Sequence, residues 1–124
     1  MAHLLIVDDD VGLLEYYAHV LAEPGVTIDL ASNGFQALTR IREQRPDVVV
    51  LDIVLPGMNG LDVMSEALAA DRNLRVILNS AYEGYRDHFM TWAADAYLTK
   101  SEDVTELKAT IHRLLESCVA AEID

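Results

Sequence analysis

Five short apolar runs, near residues 3–8, 26–31, 47–52, 74–79 and 95–99, alternate with stretches of helical periodicity. This alternation leaves few architectures open. Runs such as Leu4-Leu5-Ile6-Val7 and Val48-Val49-Val50-Leu51 are too short for helices and show no polar alternation, so they read as strands buried on both faces. Strands that take turns with helices argue a parallel sheet covered on both sides. At 124 residues and 52% hydrophobic content, the chain is one domain with enough apolar surface for a real core. It carries no sequence repeat, low-complexity tract or interdomain linker.

The helical stretches have definite ends. The first spans about 10–22, with Asp10 as the expected N-cap, Leu13, Leu14, Tyr17 and Leu21 on one face, and Pro24-Gly25 as the stop. A second follows Ser32-Asn33-Gly34 and turns Phe35, Leu38 and Ile41 inward before Pro46. The third starts at Gly60 and carries Leu61, Met64 and Leu68. A weaker fourth, about 84–93, has Tyr85, Phe89 and Trp92 as its apolar members. The last opens at Ser101 or Asp103 and repeats Val104, Leu107, Ile111, Leu114 and Cys118, a stripe expected to pack on the sheet.

Acids sit where the strands surface. Asp8 and Asp9 follow the first run, and Asp52 ends the third, just before the turn-rich Val54-Leu55-Pro56-Gly57-Met58-Asn59-Gly60. In open parallel sheets, ligands bind beyond the carboxyl ends of the strands. If the first and third strands are neighbours, three carboxylates converge there. Ser80 ends the fourth strand and Lys100 the fifth, which adds an alcohol and an amine to the same edge.

Several function classes lose support. With 21 acidic against 9 basic residues, the formal charge is −12, the wrong sign for binding a phosphate backbone. Histidines 3, 19, 88 and 112 show no metal-ligand spacing. A lone Cys118 forms no internal disulfide and reads as a buried apolar residue. No apolar run reaches the roughly 20 residues of a membrane span, and Met1-Ala2-His3 does not open a signal peptide, so the cytoplasm is the expected compartment.

Taken together, Ile6-Val7-Asp8-Asp9, Leu51-Asp52 followed by Pro56-Gly57-Met58-Asn59-Gly60, Ser80-Ala81, and Ala94-Asp95-Ala96-Tyr97-Leu98-Thr99-Lys100 resemble the receiver domain of two-component response regulators. The resemblance spans essentially residues 1–124 and includes no output domain. Whether the chain acts alone or is the N-terminal piece of a longer regulator stays open. The resemblance implies a flavodoxin-like (βα)5 doubly wound sheet with strand order 2-1-3-4-5.

It also implies roles. Asp52 would accept a phosphoryl group, since a carboxylate is ionised near neutral pH and needs no general base. Asp9 and Asp52 would ligate magnesium or manganese directly, Asp8 mostly through water, and the Val54 backbone carbonyl would complete the protein ligands. Lys100 and Ser80 would hold phosphoryl oxygens. Tyr97 would change rotamer with phosphorylation. The donor would be a sensor histidine kinase or histidine phosphotransfer protein. The output would be a downstream protein target met through the face of the fourth helix, fifth strand and fifth helix, which also offers a dimer seam. Val54 and Tyr82 flank the phosphoryl position and supply no carboxylate or amide to orient water, so slow self-dephosphorylation is expected. The chain would be a switch and not an enzyme, catalysing only its own phosphorylation and dephosphorylation.

Ser101 replaces the proline usual after the lysine. A non-proline cis peptide costs about 3 kcal/mol, so Lys100-Ser101 should be trans. Two rival readings each meet an obstacle. A haloacid dehalogenase-type phosphatase or phosphotransferase needs an acid two residues after the nucleophile, where Val54 stands. A flavin- or nucleotide-binding module would find Asp8-Asp9-Asp10 repelling its phosphate.

Overall fold

The computed structural model describes residues 2–81, 89–101 and 103–123. Five parallel strands, β1 (Ala2–Val7), β2 (Val26–Ala31), β3 (Val48–Leu51), β4 (Arg75–Ser80) and β5 (Ala96–Thr99), form one sheet in the order β2-β1-β3-β4-β5. The strand-to-strand alternation of side chains decides the layers. Leu5, Val7, Val49, Leu51, Val76 and Leu78 face α2 (Gly34–Gln44) and α3 (Gly60–Ala70). Leu4, Ile6, Val48, Val50 and Ile77 face α1 (Val11–Val20) and α4 (Thr105–Ile123). Both faces are therefore covered, which is why these strands are apolar without alternation.

Each early helix starts on an Asx cap. Asp10, Asn33 and Asn59 accept from the backbone N–H of Leu13, Gln36 and Leu61 at 3.1, 2.8 and 2.7 Å. The last helix begins at Thr105, slightly later than expected, with Asp103 accepting from the Thr105 backbone N–H. The Lys100-Ser101 peptide is trans, as expected.

One inward assignment is corrected. Phe35 is 63% exposed. The inner stripe of α2 is Gly34, Ala37, Leu38 and Ile41, because Gly34 lies where a Cβ would come within 2.8 Å of the Val63 side chain. The stripe begins on the residue that lets α3 approach, and this rotates Phe35 outward over Gly57. Where a fourth helix was expected, a 3-10 helix spans Phe89–Ala93, with Trp92 exposed. The remainder of that expected helix, including Tyr85, lies outside the described residues, as do Tyr82 and the side chain of Cys118. Among the described residues, no helix is long and apolar enough to cross a membrane.

Candidate functional site

Register brings the acids together. Val7 pairs with Leu51, so the next residues, Asp8 and Asp52, leave adjacent strands side by side. Backbone bonds hold both: Asp8 N–H donates to the Ala31 carbonyl at 3.1 Å and Asp52 N–H to that of Val7 at 3.1 Å. Asp8 and Asp52 are buried and Asp9 is exposed. Each contributes a carboxylate oxygen to a group lying within 4.8 Å of one another.

Lys100 reaches in from the end of β5. Its Nζ donates to Asp8 Oδ2 at 2.6 Å and to Asp52 Oδ2 at 2.9 Å. The other Asp52 oxygen accepts from the Val54 backbone N–H at 3.4 Å. Three carboxylates against one ammonium leave a formal charge of −2, and each unscreened like-charge pair at about 4 Å costs about 4 kcal/mol at an effective dielectric near 20. Burial pushes the Asp52 carboxyl above its ordinary range, with Lys100 pulling it back. Burial alone would lower the Lys100 ammonium, but its bonds to Asp8 and Asp52 outweigh that and raise it.

The other expected residues sit on the same edge. Ser80 is fully buried at the end of β4, and its carbonyl accepts from Lys100 N–H at 2.7 Å. Tyr97, paired with Leu78, is half-buried against the α2–α3 layer. The Val54 side chain is exposed.

Two features were not read from the sequence. A Cβ on Gly60 would lie 2.0 Å from the Asp52 carbonyl oxygen and 2.8 Å from Ile53 Cα, so only glycine lets α3 start directly beneath the site. Gly60 N–H also donates to the Ile53 carbonyl at 2.7 Å. The second is a buried bond between Asn79 and Tyr17. The polar Asn79 directly after the apolar run Val76-Ile77-Leu78 was the available signal.

An oxygen-only donor set with excess negative charge fits a hard divalent cation. The site holds a buried carboxylate beside an ammonium, within reach of two further carboxylates. The model of the response regulator receiver domain matches residues 4–112. The probable transcriptional regulatory protein TcrX of Mycobacterium tuberculosis is 35% identical over 123 residues, covering 98% of this chain and 53% of its own length. Sporulation initiation phosphotransferase F of Bacillus subtilis is 33% identical over 115 residues, covering 90% of this chain and 92% of its own. The response regulator protein TrrA of Thermotoga maritima, solved with Mg2+-BeF, superimposes with a TM-score of 0.88 at 38% identity, covering 92% of this chain and 99% of TrrA. TrrA has also been solved in complex with the histidine kinase ThkA. The chain spans about half the length of the first curated relatives it matches. With its sheet order, strand-end acids and lysine in place, the chain belongs to the response regulator receiver domain family.

Proposed function

We propose that this chain is a phosphoaccepting signalling switch in which Asp52 takes a phosphoryl group from the phosphohistidine of a histidine kinase or phosphotransfer protein. The observation that carries the reading is Asp52 itself: a buried carboxylate, paired with Lys100, within ligand distance of Asp8 and Asp9. An Asp52 oxygen attacks phosphorus, the O–P bond forms as the P–N bond breaks, and the imidazole leaves. Asp9 and Asp52, with Asp8 and the Val54 carbonyl, would hold magnesium. When bound, the ion supplies positive charge that neutralises the acids and the transferring phosphoryl oxygens. Lys100 gives up part of its pairing with Asp8 and Asp52 to hold one oxygen, and Ser80 hydrogen-bonds another. Movement of Ser80 and rotation of Tyr97 would then alter the surface of β5 and α4 toward a downstream partner. TrrA, which binds Mg2+-BeF and a histidine kinase, supports the same chemistry here.

Incubation with acetyl phosphate and magnesium should add one phosphoryl group to the intact mass. Asp52→Asn, or chelation of the metal, should abolish the gain, and persistence of the gain in either case removes the assignment. With no carboxylate or amide at Val54 to orient water, the phosphorylated state should be long-lived. Val54→Asn should shorten that lifetime.

A further inference from the structure

Tyr17 of α1 and Asn79 of β4 form a polar pair in the layer between the sheet and α1–α4, where the surrounding side chains, Leu4, Ile6, Leu14 and Ile77, are apolar. Tyr17 is 1% exposed and Asn79 4%. The Asn79 amide donates from Nδ2 to Tyr17 Oη at 3.0 Å. Packing does not require it, since replacing both members of such a pair with apolar groups of similar shape is nearly neutral for stability. What distinguishes the pair is its location. Asn79 directly precedes Ser80, the Ser80 carbonyl accepts from Lys100 N–H at 2.7 Å, and Lys100 Nζ holds Asp8 and Asp52. Both groups expected to grip the phosphoryl oxygens therefore hang from the strand end that Tyr17 holds. The pair also walls a cavity of about 20 Å3 shared with Thr99, Ser101 and Asp103, room enough for one water. Burial pushes the Tyr17 hydroxyl up, which keeps it a neutral hydrogen-bonding group.

We propose that Tyr17 is a positioning residue for phosphoryl acceptance, fixing through Asn79 the end of β4 and with it Ser80 and Lys100. The proposal rests on the phosphoacceptor reading of Asp52. A buried hydrogen bond spanning 62 positions in sequence joins α1 to the strand end, so a change in α1 is felt at Lys100 without α1 touching the phosphoryl group.

The test compares wild type, Tyr17→Phe and the double variant Tyr17→Phe/Asn79→Leu. The single variant leaves Asn79 short of its partner and should lower thermal stability. The double variant should recover that stability. If Tyr17 positions the site, recovery stops there. Phosphoryl acceptance at saturating acetyl phosphate stays about tenfold below wild type, with the half-saturating donor concentration unchanged. The Lys100 amide should also exchange faster than wild type, measured against β1 amides in the metal-free protein. Return of rate and Lys100 protection together with stability would show that the pair only packs, and overturn the proposal. So would wild-type behaviour in Tyr17→Phe. Should the double variant not fold, the Lys100-to-β1 exchange ratio of Tyr17→Phe decides the matter alone. A wild-type chain that gains no mass sinks the Asp52 reading, an outcome separate from unchanged Lys100 exchange, which sinks the role of Tyr17.

Discussion

The two ends of the same strands carry comparable charge and use it in opposite ways. At the amino end, His3 pairs through Nε2 with Asp29 Oδ2 at 2.5 Å, and its backbone N–H donates to Asp47 Oδ2 at 2.8 Å. Asp47 N–H donates back to the His3 carbonyl at 2.8 Å. Each acid there answers a partner. At the carboxyl end, Asp8 and Asp52 share Lys100, and the Asp9 carboxylate joins their group with no added cation among the described residues. Charge density does not mark the site, since both ends are dense. What marks it is charge that the fold gathers without neutralising, in the crevice where the helix N-termini of a parallel sheet favour anions and their metals.

The largest effect that would break this comparison is steric. Gly60→Ala would place a Cβ 2.0 Å from the Asp52 carbonyl oxygen, a backbone atom with no rotamer to yield. We expect a loss of about 3 kcal/mol or more in denaturant unfolding, together with a large fall in phosphoryl acceptance. Gly25 at the other end has φ +82° and open space where a Cβ would stand, with nothing within 4 Å, so it should tolerate alanine at only about 1 kcal/mol of backbone strain. Equal losses at the two glycines would mean that the carboxyl end is no more tightly built than the amino end.

How much of this was legible follows from the range of each signal. Strand runs and the 3.6-residue stripes are local, so β1–β5 and the bodies of α1, α2 and α3 emerged near their observed limits. The shared edge of Asp8, Asp9, Asp52, Ser80 and Lys100 was legible because each ends a strand or lies within two residues of a strand's end, and a parallel sheet carries all such ends to one edge. Phe35 misleads because its hydrophobicity is a local signal, whereas the face of α2 is set by the close approach of α3 at Gly34, which depends on a side chain that is absent. The Tyr17–Asn79 bond was illegible because pairing across 62 positions is set by packing of α1 on β4, which no window of sequence contains.

A smaller effect sharpens the electrostatic contrast. Burial holds the Asp52 carboxyl above its ordinary 3.8. A carboxyl raised on folding favours the folded chain below about 3.8 and loses that contribution as pH rises through its higher folded value. Metal-free Asp52→Asn should therefore be more stable than wild type at neutral pH, on the order of 1 kcal/mol, with a flatter profile across that window. Asp29→Asn should go the other way by about 0.5 kcal/mol, since it removes one partly buried pair. Magnesium should raise the wild-type Tm, by about 2.7 kcal/mol of stability at a hundredfold excess over Kd, and should raise that of Asp52→Asn less. Destabilisation by Asp52→Asn would show that Lys100 already balances the site.

The smallest expected effect concerns an acid on the same edge that the fold does satisfy. Asp103 Oδ1 accepts from the Thr105 backbone N–H at 2.9 Å and from the Thr105 hydroxyl at 2.6 Å, at the start of α4. These bonds hold its carboxyl below the ordinary 3.8. The sign is opposite to that of Asp52: the contribution is present above about 3.8 and is lost as pH falls through the lower folded value. Asp103 is fully exposed, so solvent screens it and the shift in Tm should be the least of the series. Asp103→Ala should lower Tm slightly at neutral pH and match wild type at strongly acid pH, measured by circular dichroism melts across pH. An equal deficit at every pH would assign the loss to helix propensity at α4, and would leave Asp103 outside the contrast between satisfied and unsatisfied acids.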